Sequence, residues 1–325
     1  MTSTVLVTGG AGFIGAHLVR GLTARGDTVR VLDDLSIGSA RYLDAVRCEL
    51  IVSGIGDAEA VASALSGVDT VVHLAARAGI PDSIADPLGT FRANVSWTVE
   101  LLEAARRAGA KRFILASTNA AVGDHLPPLH EDLPARPISP YGASKLAGEG
   151  YVQAYAASFG MAACAVRFSN AYGSWALHKG SVVPAWIRAA IAGRPILIYG
   201  DGSQTRDFVH ATDLAAGVIA AIDAEPAAIA GQVIQLGTGV ETSVSQLAEI
   251  LSDAVGGRVD IRYGPARRGD VPRNVSRISK AADRLGWTPT VAIEPGIRST
   301  VAWFRAALAD PSLAGIERSP VSGSD

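Results

Sequence analysis

Tyr141 and Lys145 stand four residues apart in the segment SPYGASKLAGE, residues 139–149, where Pro140 suits the first turn of a helix. That spacing puts both side chains on one helical face. A free phenol titrates near pH ~10 and is a poor base at neutral pH. A neighbouring ammonium favours the phenolate and lowers that value. Such a tyrosine can take the proton of an alcohol while hydride leaves the same carbon. A Tyr/Lys pair on a helix is by itself common on protein surfaces, so its meaning depends on the rest of the chain. Here Thr118 precedes it at the end of a predicted strand.

Hydride needs an acceptor, and the first residues of the chain offer a place for one. Residues 8–15 read TGGAGFIG. Gly10, Gly12 and Gly15 fit one dinucleotide spacing, and Gly9, Gly12 and Gly15 fit a looser one. Glycines there let the backbone turn tightly beside a pyrophosphate. The helix that follows, from Phe13 through Ile14, aims its free N–H groups and positive end at the phosphates. Asp33 lies 18 residues after Gly15, at the end of the next predicted strand. An acid at that distance binds the adenosine ribose hydroxyls and repels a 2′-phosphate. The nearest downstream arginine is Arg41, so NAD is favoured over NADP.

These groups need a scaffold, and the apolar pattern supplies one. Strands are predicted at Val5–Val7, Val29–Leu32, Thr70–Leu74, Arg112–Ala116 and Ala163–Phe168. Helices are predicted at Phe13–Thr23, Asn94–Ala108 and Tyr141–Ser158 between them. The strands are continuous apolar runs, as expected when both faces are covered in a parallel sheet. The expected fold is α/β, a Rossmann-type doubly wound parallel sheet with a smaller C-terminal substrate-binding domain. After Asn170 the alternation gives way to turn-rich stretches, with helices at Pro184–Ala192 and Ser245–Ala254. The sheet domain is taken as 1–170, with 212–239 returning to it through a strand at Val233–Leu236. The second domain is taken as 171–211 and 240–310. Residues 311–325, rich in Ser, Pro and Gly, are taken as a disordered tail.

Bulk properties agree with a packed globule. The chain has 325 residues, 48% hydrophobic and 18% charged, with a formal net charge of -2, so nothing marks a nucleic-acid surface. Cys48 and Cys164 are far apart and lack metal-ligand spacing, so two thiols are expected, with no metal site. The N-terminus lacks the pattern of a signal peptide, and no apolar run reaches the roughly 20 residues of a bilayer span. A cytoplasmic location is expected, with no membrane or nucleic-acid partner.

With these residues in view, the chain resembles an extended short-chain dehydrogenase/reductase of the nucleotide-sugar epimerase and dehydratase group. The matching segments are TGGAGFIG (8–15), HLAA (73–76), SPYGASKLAGE (139–149), RFSNAYG (167–173), YGDGSQTRDFVH (199–210), RRGDVP (267–272) and LGWTP (285–289). The resemblance implies that Thr118 hydrogen-bonds the reacting oxygen, Tyr141 is the acid/base, and Lys145 binds the nicotinamide ribose and tunes Tyr141. It implies cofactor contacts at Gly9, Gly12, Phe13, Ile14, Gly15, Asp33, Ile55, Asp57 and Ala75. Asn170, Val183, Arg206 and Arg267 match positions that bind the nucleotide diphosphate sugar, and Asp270 one near the nucleotide ribose. Asn274 matches the position that gates bulk at C2 of the sugar. It implies a homodimer through a four-helix bundle, consistent with the alanine-rich faces of the helices at 94–108 and 141–158.

Dehydratases of the group carry Asp-Glu after the catalytic threonine, and here Asn119 and Ala120 follow Thr118. Neither can act as a base, which disfavours elimination. What remains is oxidation at C4, rotation of the 4-keto sugar and return of hydride to the other face: a 4-epimerase of a UDP-hexose or UDP-N-acetylhexosamine, with retained NAD. Two alternatives stay open, a nucleotide 4-ketosugar reductase using NAD(P)H and a non-catalytic dinucleotide-binding protein. The chain departs from the family pattern at Val122, where a tyrosine is usual. It departs again at Gly54, where an adenine-holding aspartate is usual, and at Ser174-Trp175, where Pro-Arg is usual.

Overall fold

The computed structural model describes residues 3–266, 271–313 and 315–316. Seven strands form one sheet in which each neighbouring pair is parallel. They are β1 (Thr4–Thr8), β2 (Thr28–Asp33), β3 (Glu49–Val52), β4 (Thr70–His73), β5 (Arg112–Thr118), β6 (Ala162–Phe168) and the late strand Gln232–Leu236. The late strand pairs with the outer side of β6, and the order continues β6, β5, β4, β1, β2, β3. The direction of strand addition reverses between β1 and β4. In such sheets the crevice beyond the carboxyl ends of the strands at that reversal receives the ligand.

Successive residues of β1 face opposite sides, and both sides are apolar. Val5 and Val7 join a core with Leu18, Val19 and Leu22 of α1 (Phe13–Ala24) and with Leu214 and Val218 of the helix Ala211–Asp223. Leu6 joins the other core, with Val61 of α2 (Ala58–Ala64), Leu101 and Leu102 of α5 (Trp97–Arg107) and Val152 of α6 (Pro140–Phe159). The short helices α3 (Ile80–Ala85) and α4 (Pro87–Phe91) pack against α6. The sheet is thus covered by helices on both faces, as its unbroken apolar runs require.

The predicted helix at 94–108 is not continuous. A π-type turn spans Arg92–Ser96, and α5 begins at Trp97. The cause is Asn94, which turns inward and binds the backbone of Arg77 in both directions, accepting from its N–H at 2.9 Å and donating to its carbonyl at 3.0 Å. Asn94 also donates to Ser144 Oγ of α6 at 3.0 Å.

The remaining chain builds a second lobe. Its core gathers Trp186 and Ile187 of the helix Val182–Ile191, Leu247 and Leu251 of Val244–Val255, and Val301 and Phe304 of Ile293–Ala309. Two small sheets frame it: Ile196–Tyr199 with Ile261–Gly264, and Thr205–Arg206 between Thr242–Ser243 and Arg273–Asn274. The expectation of disorder from residue 311 is corrected at its start. Pro311–Leu313 close a 3-10 turn, and Leu313 and Ile316 pack against the second core, so two apolar anchors outweigh the polar composition. Residues 314 and 317–325 lie outside the described residues.

Candidate functional site

The glycine loop crosses the carboxyl end of β1. Gly9 adopts φ +71°, and a Cβ there would lie 2.7 Å from the backbone nitrogen of Ala75. A Cβ on Gly15 would lie 2.2 Å from the carbonyl oxygen of Gly9. Gly9 and Gly15 therefore serve the turn and the packing of α1 onto it. Gly12 caps α1 without any side-chain hydrogen bond, leaving the first amides of Phe13 and Ile14 without an intrahelical partner. Phe13 itself is buried in the second core, and Ile14 packs between the two. Asp33 ends β2 and is 8% exposed. Its Oδ2 accepts from Ala11 N and its Oδ1 from Leu35 N, both at 2.9 Å. Burial raises its pKa, and the two backbone bonds act against that rise. Asp33 thus ties the loop to the strand, and each oxygen keeps a second lone pair for a ribose hydroxyl. An uncapped helix start, a loop closed to side chains and a carboxylate at the next strand end together fit a dinucleotide. Gly15→Ala is expected to drive the new methyl into the Gly9 carbonyl and to purify with little NAD and a lowered melting temperature. A full complement of NAD in that variant would show that the loop can open.

Ile55 packs against the core beside α2, and Asp57 is the N-cap of α2, its Oδ1 accepting from Glu59 N and Ala60 N at 3.1 Å. Both are therefore explained by local folding.

Thr118 ends β5 and Tyr141 opens α6, and the Thr118 hydroxyl lies where it acts on the Tyr141 phenol. Burial pushes the Tyr141 phenol up to about 12, while the Thr118 hydroxyl acts in the opposite direction. The Lys145 ammonium donates to the carbonyl of Ala116 at 3.0 Å, and desolvation dominates the phenol. Burial lowers Lys145 itself to about 8, against the opposing pull of Glu149. Turnover that needs the ammonium should therefore fall as pH rises through about 8. The limb is read from a kcat/KM–pH profile, which reports the groups of the enzyme without bound sugar; activity flat to pH ~10 would contradict it.

Sequence reasoning missed what stands behind Lys145. One turn further along α6, Glu149 receives Arg167 Nε and Nη2 at 2.7 Å each and Ser117 Oγ at 2.5 Å. Glu149 and Arg167 are 2% and 3% exposed. Both lie inside quoted motifs, and that is the only trace they leave in the sequence.

Several of the expected substrate residues converge. Asn274 and Arg206 are register partners on adjacent parallel strands. Asn170 follows β6 and its backbone N–H donates to the carbonyl of Asp207 at 3.0 Å. Asn119 Nδ2 donates to Asn274 Oδ1 at 3.1 Å, joining the residue after Thr118 to the second lobe. The same amide reaches Ser276 Oγ at 3.0 Å and Ser169 Oγ at 3.3 Å. Asp207 is the unforeseen hub, fully buried. It accepts from Ser169 Oγ, from Thr238 N and Oγ1, and from Gly239 N and Ser276 N. Arg206 Nη1 donates to the carbonyls of Thr205 and Val271. Val183 is 2% exposed, its side chain in the second core, so its backbone, in the first turn of a helix without a side-chain cap, is the part that can meet a ligand. Arg267 and Asp270 lie outside the described residues. The LGWTP segment has a structural role, since Trp287 Nε1 donates to the Asp213 carbonyl and the Asp213 carboxylate accepts from Thr290 Oγ1 and Val291 N.

A seven-stranded parallel sheet with a phosphate loop, a ribose carboxylate and a Thr/Tyr/Lys set at its carboxyl edge defines a dinucleotide-dependent enzyme fold of the Rossmann type. The chain belongs to the NAD dependent epimerase/dehydratase family, whose model matches residues 5–237. It is 38% identical over 314 residues to the UDP-glucose 4-epimerase of Mycolicibacterium smegmatis, covering 92% of this chain and 98% of that one. A solved UDP-N-acetylglucosamine 4-epimerase from Methanobrevibacter ruminantium, in complex with UDP-N-acetylmuramic acid, superposes with a TM-score of 0.88 at 31% identity, covering 94% and 99%. The UDP-glucose 4-epimerase of Thermotoga maritima, solved with UDP-glucose, gives a TM-score of 0.88 at 33% identity over 94% and 99%.

Proposed function

We propose that the protein is an NAD-dependent 4-epimerase of a UDP-hexose or UDP-N-acetylhexosamine. The observation that carries this reading is the meeting of Thr118, at the end of β5, with Tyr141, at the start of α6, followed by Asn119, whose amide is engaged with Asn274. Tyr141 and Thr118 meet at one point, and the positions after Thr118 hold no acid or base for elimination. Relatives named for UDP-glucose and UDP-N-acetylglucosamine epimerisation support the substrate class.

Tyr141 removes the C4 hydroxyl proton and later returns it, while Thr118 holds the same oxygen in line. Lys145, anchored on Ala116, holds positive charge beside the phenol and lowers the cost of the phenolate in the loaded site. NAD, when bound, takes up the C4 hydride and gives it back. Arg206 and the first turn of the helix at 182–191 grip the diphosphate while the 4-keto sugar turns over. Asn274, short and tethered to Asn119, leaves space at C2 that suits an acetamido group.

The test is to denature the purified protein and identify any released cofactor. Native protein is then incubated with UDP-glucose, UDP-N-acetylglucosamine and UDP-glucuronate, no cofactor added, and C4 configuration is followed by NMR. Released NAD and interconversion of one sugar are expected. Reaction only after supply of NAD(P)H and a 4-keto sugar would instead show a reductase. Tyr151 and Phe159 on α6 are exposed, which supports a homodimer through the helices at 94–108 and 141–158. A solution mass of one chain would sink it. Among the described residues no helix is long and apolar enough to cross a membrane. The two free thiols, Cys48 and Cys164, support a cytoplasmic location.

A further inference from the structure

The family resemblance places an adenine-holding carboxylate at residue 54, and this chain has glycine there. Gly54 faces open space, for the nearest atom to a Cβ built on it is Asp34 Oδ2 at 3.9 Å. Two residues on, the surroundings are the opposite. A Cβ on Gly56 would lie 2.6 Å from Cε2, 2.8 Å from Cζ2 and 2.9 Å from Nε1 of Trp97. The loop between β3 and α2 therefore packs directly against an indole, and Trp97 occupies the place that a side chain at residue 56 would take. The ring is only partly buried, and its N–H has no hydrogen-bond partner among the described residues.

Trp97 is held where it is. It is the first residue of α5, directly after the π-type turn. Such turns inside helices concentrate at functional sites. The next residue, Thr98, pairs through Oγ1 with His73 Nε2 at 2.9 Å, and His73 Nδ1 pairs with Thr8 Oγ1 at 2.7 Å. Burial lowers His73 to about 3, so the ring is neutral and serves as a bridge. This chain of contacts ties the start of α5 to the carboxyl ends of β1 and β4, the two strands that flank the cofactor crevice.

We infer that Trp97 is the adenine-binding residue of this chain, its indole standing beside the loop that carries Gly54 and Gly56. The inference rests on the cofactor being NAD. A flat heterocycle and an indole associate without a carboxylate, and base–aromatic stacking is generally worth about tenfold or more in affinity. The adenine end is then held by apolar contact, and the hydrogen-bonding load falls on the ribose at Asp33.

Calorimetry with NAD, AMP and nicotinamide mononucleotide, on cofactor-depleted protein that NAD reactivates, tests this. Trp97→Ala is expected to weaken NAD and AMP about tenfold or more and to leave nicotinamide mononucleotide unchanged. Trp97→Phe is expected to bind nearly as well while losing the quenching of tryptophan emission expected when AMP stacks on the native indole. Undiminished AMP binding by Trp97→Ala, an equal loss of both mononucleotides, or undiminished quenching in Trp97→Phe would each overturn the assignment. Native protein that binds neither NAD nor AMP would overturn the cofactor reading beneath it, an outcome distinct from the other three.

Discussion

Tyr141→Phe should fold, retain its NAD and lose about two to four orders of magnitude in kcat. The substitution removes one oxygen from a ring that α6 holds against the end of β5, so neither packing nor the glycine loop is disturbed. What disappears is the titratable hydroxyl that faces Thr118. The phenylalanine ring can bind sugar but can neither take nor return the C4 proton. The expected pattern is therefore a fall in kcat with KM little changed, measured beside the NAD content of the same preparation. Near-native turnover would remove Tyr141 from the chemistry. Loss of NAD along with turnover would mean that the ring's packing matters more than its oxygen.

The second large effect is expected one turn behind Lys145, at a residue that touches no substrate. Glu149→Gln leaves the Arg167 guanidinium buried with its counter-charge gone. Breaking a buried pair by removing one partner commonly costs about 3–5 kcal/mol. Replacing both partners, Glu149→Met with Arg167→Met, should recover most of that loss, because the penalty lies in the orphaned charge. Urea unfolding of the two variants decides this, and a single variant within about 1 kcal/mol of the native protein would show the pair to be dispensable. Glu149 also opposes the lowering of Lys145. In any Glu149→Gln protein that folds, the alkaline limb of activity should move to lower pH, as the ammonium is lost sooner.

The parts of this protein that could be read from the chain share one property: their geometry is fixed by residues close in sequence. Tyr141 and Lys145 share a face because one turn of helix separates them. Gly9, Gly12 and Gly15 sit in one loop, and Asp33 follows on the neighbouring strand. The Asn119–Asn274 bridge and the Asp207 hub could not be read in this way. They join segments more than 100 and 60 residues apart, and only the pairing of Arg273–Asn274 with Thr205–Arg206 brings them together. The broken start of α5 was hidden for a related reason. Its apolar spacing continues through the π-type turn, while the cause is a tertiary bond from Asn94 to residue 77. Val183 shows the converse case: a motif match located a position in the fold, and only the packing says that its side chain faces inward. The aspartate missing at residue 54 was visible at once, and its counterpart at Trp97 was not, because the two meet only in space.

The late strand Gln232–Leu236 forms one margin of the sheet, and Glu131 Oε1 accepts the outward N–H of Gln235 at 2.8 Å. A margin with free donors is a template on which another chain can grow as an added strand. Here a carboxylate has already taken that donor, and it brings a negative charge to the place where an eighth strand would have to lie. Copies of this protein that crowd together are thereby discouraged from zipping margin to margin into fibrous aggregates.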